Sequence, residues 1–346
     1  MSALRVLSVA YPLAPVGADF VGGAEQVLAT LDAALVAAGH RSIVVAQEGS
    51  RVAGELRAIP RPAGALDAAA RAAAQAAASR AVAAVLRAEP VDVVHLHGID
   101  FDRTLPPPGP PALVTLHLPP DWYPAEALHP ARPNTWLVGV SASQHRGLEG
   151  RAAGLLPPVP NGVAVEALGG ARHARRGFAL NLGRVCPEKG QHLALQAAQA
   201  AEVPLLLGGE VYPYPEHEAY FAREVVPLLD GARRFLGPLG FVRKRRLLGA
   251  ARCLLVCSLV AETSSLVAME AAACGTPVVA FPNGALPEVV EHGRTGFLVR
   301  DAAEMADAIA RVGEIDPQEC RRVARERFSR ERMAAAYLDI YRRLAA

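Results

Sequence analysis

This chain is poor in cysteine, in aromatic residues and in long apolar runs, and each shortage excludes something. Its five cysteines among 346 residues cannot build a disulfide framework. Cys253 and Cys257 are the one close pair, inside an apolar strand-like run with no His or Cys beside them at zinc-binding spacing. Buried free thiols in a reducing, cytoplasmic setting are therefore expected. No stretch approaches the roughly 20 apolar residues that cross a bilayer. The segment Met1–Ala10 has neither the length nor the flanks of a secretory signal. Charge of one sign is missing too. Lys and Arg number 36 against 34 Asp and Glu, a balance of +2 without the basic excess of a nucleic-acid binder. Neither G-x4-G-K-[S/T] nor a G-x-G-x-x-G after a first strand occurs, which argues against a P-loop protein and a Rossmann dehydrogenase.

What is present fits two α/β domains. Hydrophobic residues make up 51% of the chain, enough for full-sized cores, and the length suits two domains of ordinary size. In the first half, strands are expected at Leu4–Ala10, Ser42–Ala46, Val91–Leu96, Ala112–Leu116 and Thr135–Val140. A helix over Ala24–Ala38 stops at Gly39, and the Ala- and Arg-rich Ala65–Ala88 reads as one long helix or two shorter ones. Pro106–Pro111 is a stiff connector. Leu155–Gly162 is the best domain boundary. The second half repeats the alternation, with strands at Phe178–Leu182, Pro204–Leu207, Arg234–Leu236, Cys253–Cys257, Pro277–Ala280 and Gly296–Val299. Ser329–Ala346 is an amphipathic helix. Such βαβ alternation implies parallel sheets covered by helices.

Two second-half segments carry the chemistry. Asn181–Gly190 follows the first strand of that half, and Arg184 and Lys189 flank a short loop leading into a helix. A guanidinium and an ammonium at that spacing can clamp a diphosphate. Downstream, Glu262 and Glu270 bracket the start of a helix, with seven residues between them. A helix N-terminus offers free N–H groups and partial positive charge to an anion. Two carboxylates around it can hold hydroxyls on either side of a phosphate, which suits a nucleotide-sugar.

The arrangement resembles the E-x7-E element of retaining glycosyltransferases of the GT-B fold, the large family 4 of bacterial enzymes with mannosyltransferase-like and sucrose synthase-like members. The resemblance covers nearly the whole chain: Val21-Gly22-Gly23-Ala24-Glu25, Val93–His97, Thr115–His117, Pro160–Val163, Gly183-Arg184 to Lys189-Gly190, and Gly284, Pro287-Glu288 and Gly293–Val299. It implies two Rossmann-like doubly wound domains facing each other across a cleft, at 1–160 and 161–329, with a helix at 330–346 returning to the first. The implied activity is metal-independent transfer of a hexose, with retention, from a nucleoside-diphosphate sugar such as a UDP- or GDP-sugar. The acceptor would be a hydroxyl of a glycan, a lipid-linked glycan or a small molecule.

By the same resemblance, Arg184 and Lys189 bind the donor diphosphate, Glu270 accepts from the ribose hydroxyls, and Glu262 holds the donor sugar. Backbone N–H groups around Ser264, Ser265 and Leu266 assist, His117 lies beside the donor sugar, and Gly22 and Gly23 let a loop approach the diphosphate. No cofactor beyond the donor substrate and no metal is implied, because two cations and a helix dipole can offset leaving-group charge. Thr263-Ser264-Ser265 departs from the family's usual Gly or Phe. Serine there is expected to cap the helix, while the departure leaves the donor sugar open. The chain is also short for the family, which leaves room for a missing acceptor-binding insertion.

Several residues admit two readings. His95 ends a core strand and could bond a backbone carbonyl. Glu25 is a favourable acid in a first helical turn. Trp122 and Tyr123 could stack on an acceptor sugar or pin a loop. Arg243-Lys244-Arg245-Arg246 is read as a solvated face, or as a contact with the nucleotide or with anionic lipid at the inner membrane face. A GT-B sugar-nucleotide epimerase and a non-catalytic sugar-nucleotide binding protein are the rival functions.

Overall fold

The computed structural model describes residues 3–17, 22–64, 66–170, 174 and 176–346. Val21 and Ala65, each part of a segment singled out in the sequence, lie outside them. The chain divides into two units, Met1–Asn161 with Glu331–Ala346, and Gly162–Arg330.

The first unit is built on a seven-stranded sheet. Its strands are β1 (Arg5–Val9), β2 (Arg41–Gln47), β3 (Glu55–Ile59), β4 (Val93–Leu96), β5 (Ala112–Leu116), β6 (Thr135–Gly139) and β7 (Leu155–Leu156). The order is β3-β2-β1-β4-β5-β6-β7 and every pairing is parallel. The central strands are buried and mostly apolar because helices cover both faces, with Ser8, His95 and Thr115 as buried exceptions. Ala68–Ala88 is a single helix whose Asp67 side chain accepts from the Ala70 amide. It buries Ala74, Ala78, Val82 and Val85, one stripe at helical spacing. The helix Gly23–Ala37 begins one residue earlier than expected, so Gly23 is its first residue rather than part of the preceding loop.

Two edge strands depart from the sequence reading. β3 was not expected, and β7 falls inside the segment read as a boundary. β3 is mostly half-buried and carries Glu55 and Arg57. β7 is two residues long. An edge position asks for neither length nor an apolar pattern.

The tail helix Arg330–Ala345 packs on the first unit. It buries Met333, Ala334, Tyr337, Ile340 and Tyr341.

The second unit has a six-stranded sheet: β8 (Ala179–Leu182), β9 (Leu205–Gly208), β10 (Arg233–Phe235), β11 (Cys253–Val256), β12 (Val278–Ala280) and β13 (Gly296–Leu298). Its order, β10-β9-β8-β11-β12-β13, is again wholly parallel. One apolar cluster lies on each face of this sheet, centred on Leu205, Leu255 and Val279 on one side and on Leu180, Leu254 and Val278 on the other. Both sheets therefore have the doubly wound topology of a nucleotide-binding α/β domain.

Candidate functional site

In a doubly wound sheet, ligands sit where the strand order reverses, outside the carboxyl ends of the two strands. In the second unit that point lies between β8 and β11. The loop after β8 carries Arg184 and a 3-10 turn, Pro187–Lys189. Gly190 then caps the helix Gln191–Ala200 with φ 60°, and a Cβ there would strike the carbonyl of Cys257 at the end of β11. Glycine is what lets these two loops approach. The loop after β11 leads through Glu262 to the helix Leu266–Ala273. Its backbone is held at Glu262, whose carbonyl accepts from the Ala285 amide at 2.7 Å next to the left-handed Gly284.

Each carboxylate of the Glu262/Glu270 pair is held by an ammonium group. Lys189 Nζ lies 2.5 Å from Glu262 Oε1, and the Ser258 hydroxyl donates to the same oxygen. Lys244 Nζ lies 2.5 Å from Glu270 Oε1. The sequence contains two lysines in all, and these are they. Lys244 thus departs from the solvated face expected of the basic run, since its side chain is only 13% exposed. It stands on the helix Phe241–Ala250, and nothing near it in sequence marks it, because its partner is 26 residues away. Ser258 also carried no signal in the sequence.

The Lys244 contact leaves Glu270 half engaged. Its Oε2 is buried and has no partner. The start of the helix Leu266–Ala273 is open as well. Ser265 is the N-cap residue, yet its side chain makes no cap hydrogen bond, contrary to expectation, and Ser264 Oγ is buried without a partner. Ser265 thus leaves the first-turn amides of Leu266, Val267 and Ala268 uncapped, as suits an anion site.

The first unit holds a separate polar cluster. β4 carries His95, and His97 directly follows its last residue, two positions on and hence on the same face. His95 Nδ1 meets the Tyr341 hydroxyl and Nε2 the Thr115 hydroxyl, both at 2.7 Å. The Tyr337 hydroxyl lies 3.0 Å from Thr115 Oγ1. His95 is thus bound to side-chain hydroxyls, not to the backbone carbonyl expected. His97 Nδ1 is 3.0 Å from His117 Nε2; the two rings are stacked, and the His97 ring is tilted against His95 with centroids 3.9 Å apart. Burial pushes His117 down to about 3 and holds His95 and His97 well below the ordinary histidine range, so all three are neutral at pH 7. The alternation of His95 and His97 was the available signal that His97 belongs with His117.

Tyr123 is buried, and its hydroxyl accepts from the Leu118 amide, so it pins the loop and is withdrawn as an acceptor platform. Trp122 remains 40% exposed. Gly22 is the N-cap of its helix, and a Cβ there would strike the Glu25 carboxylate, itself buried.

Residues 177–314 match a family model described as glycosyl transferases group 1. Residues 21–146 match one described as glycosyltransferase family 4. The two matched segments, one in each unit, together cover most of the chain, and both models describe glycosyltransferases. Among its relatives, the D-inositol 3-phosphate glycosyltransferase of a Nocardioides species is 38% identical over 190 residues, 47% of this chain and 41% of the relative. The alpha-maltose-1-phosphate synthase of Mycolicibacterium smegmatis is 34% identical over 188 residues, 48% and 47% of the two chains. The match thus spans less than half the length of these relatives.

Solved structures share the GT-B architecture over nearly the full chain. AviGT4, a glycosyltransferase involved in avilamycin A biosynthesis, superposes with a TM-score of 0.70 at 25% identity, covering 99% of this chain and 98% of its own. The sucrose-phosphate synthase of Thermosynechococcus elongatus does so with a TM-score of 0.77 at 21% identity, covering 98% and 99%. HepE of Anabaena, solved in complex with UDP and glucose, gives 0.73 at 17%, covering 97% and 99%. No helix among the described residues is long and apolar enough to cross a membrane.

Proposed function

We propose that this chain is a retaining family 4 glycosyltransferase that moves a sugar from a nucleoside-diphosphate donor to a hydroxyl acceptor. The observation that carries this is Glu270: one oxygen is fixed by Lys244, and the other is buried and unpartnered at an uncapped helix start. A buried carboxylate oxygen left open is costly unless a donor group arrives, and ribose hydroxyls supply one. HepE, of the same architecture, is solved with UDP and glucose and with UDP-glucose, so UDP-sugars are the first donors to test.

Arg184, Lys189 and the amides of Leu266–Ala268 take the diphosphate and stabilise it as it leaves, without a divalent metal. Glu262 orients the donor sugar, with its carboxylate held in place by Lys189 and Ser258. Retention follows if the acceptor hydroxyl attacks the face the diphosphate leaves, passing its proton to a leaving phosphate oxygen. His117 takes its sugar contact from the family resemblance. Its neutral ring then acts as a hydrogen-bonding group and not as a cation. Exposed Trp122 is the candidate for stacking on an acceptor sugar. All five cysteines are buried and none forms a disulfide, which suits a reducing compartment.

Calorimetry with UDP and UDP-glucose tests the reading. Arg184→Ala with Lys189→Ala is expected to weaken nucleotide binding at least tenfold, each charge-assisted bond contributing about 1.5–3 kcal/mol. Equal affinity in the folded double variant and the parent would remove the diphosphate assignment.

A further inference from the structure

The loop that carries Arg184 and Lys189 holds a second group of side chains. Cys186 Sγ, a carboxylate oxygen of Glu188 and a ring nitrogen of His217 all lie within 4.8 Å of one another. Cys186 and Glu188 belong to the turn after β8, and His217 comes from the helix Pro215–Tyr220. Cys186 is wholly buried and His217 is 7% exposed. His217 Nδ1 and Glu188 Oε2 are both buried with no hydrogen-bond partner. A buried oxygen and a buried ring nitrogen without partners, on side chains of one cluster, cost free energy unless something binds them.

The donor set is specific. A thiolate, an imidazole and a carboxylate suit a borderline-soft divalent ion in tetrahedral coordination, whereas the sulfur and nitrogen disfavour magnesium and calcium. The charges also balance, since thiolate and carboxylate together neutralise a dication. Of the charged groups outside the set that act on His217, Arg184 and Glu216 are opposite in sign.

We propose that Cys186, Glu188 and His217 bind one zinc ion, with water in the fourth position. Binding releases the Cys186 thiol proton to solvent and leaves the zinc oxidation state unchanged. The ion touches no reacting atom. It ties the Pro187–Lys189 turn to the helix Pro215–Tyr220 and so fixes the loop from which Arg184 and Lys189 project. The site is thus distinct from the metal-free leaving-group chemistry proposed above, and its existence does not depend on that chemistry.

Cobalt spectroscopy on the full chain tests it. Chelator-stripped protein titrated with Co²⁺ is expected to show a thiolate-to-cobalt charge-transfer band that saturates at one equivalent and is abolished by Zn²⁺. Cys186→Ser should lose the band, although Cys253, Cys257, Cys274 and Cys320 remain. His217→Ala should weaken zinc binding by more than about 100-fold, beyond the loss usual for an outer-shell partner, as read by competition with a chromophoric chelator. Circular dichroism checks that both variants fold. Glu188→Gln, nearly identical in shape, serves if they do not, and should weaken binding at least tenfold. Absence of the band in the parent, an undiminished band in folded Cys186→Ser, or unchanged affinity in Glu188→Gln each overturns the assignment.

Discussion

Both lysines stand on carboxylates of the candidate donor site, in a chain that uses arginine for every other fixed positive side chain. An ammonium is compact and meets a single oxygen, whereas a guanidinium tends to take both oxygens of a carboxylate. At Glu270 that difference matters, because the second oxygen is the one left for ligand. Lys244→Arg is therefore expected to keep the protein folded and lower UDP affinity, by engaging Oε2. Lys244→Ala leaves Glu270 buried and unpaired, and should cost about 3 kcal/mol of stability. Urea denaturation and calorimetry on the two variants separate the effects. If Lys244→Arg bound UDP as tightly as the parent, Oε2 would not be the ribose acceptor.

At the scale of elements, the tail helix Arg330–Ala345 is joined to the first sheet by hydroxyls. Tyr341→Phe removes one partner of fully buried His95 while keeping the ring, and should cost about 1–3 kcal/mol. Ending the chain after Ser329 removes Met333, Tyr337, Ile340 and Tyr341 together. That variant is expected to bind a hydrophobic dye and to lose the cooperative unfolding of the first unit. The helix itself was legible in the sequence from its apolar stripe. So were the central strands, because burial on both faces favours mostly apolar runs. The Glu262 and Glu270 pair and the Arg184–Lys189 loop were legible because both are local motifs. Lys244, Ser258 and the tyrosine hydroxyls on His95 and Thr115 were not, since each depends on a partner brought close only by the fold. β3 was missed for a different reason: Glu-Leu-Arg-Ala-Ile at a sheet edge carries no buried alternation to detect.

At the scale of the molecule, the two units should answer to different stimuli. Trp122 and Trp136, the chain's two tryptophans, both belong to the first unit, so their fluorescence reports that unit alone. Burial keeps His95 and His97 neutral, so below pH 6.5 the unfolded chain binds protons that the folded unit refuses. Stability is full above that value and falls as pH is lowered. Each such proton adds a slope of up to about 1.4 kcal/mol per pH unit. The fluorescence-detected urea midpoint is thus expected to drop between pH 7.5 and 5.5. UDP should instead stabilise the second unit, by about 2.7 kcal/mol at a hundredfold excess over its Kd. Calorimetry would then show a transition raised by UDP while the fluorescence midpoint holds still. A midpoint unmoved by pH would refute the account of the buried histidines.

The first unit is interrupted: Gly162–Arg330 lies as one block between its sheet and its closing helix. During synthesis, at about 5–20 residues per second, about 10 to 40 seconds separate the emergence of β7 from that of Tyr337 and Tyr341. For that interval His95 and Thr115 lack their tyrosine hydroxyl partners, and the sheet lacks the apolar cover that Met333 and Ile340 provide. The second unit, contiguous and complete in itself, can finish first. The earlier-made half of the protein is then the later to mature, and its uncovered sheet is the surface a nascent-chain chaperone would meet.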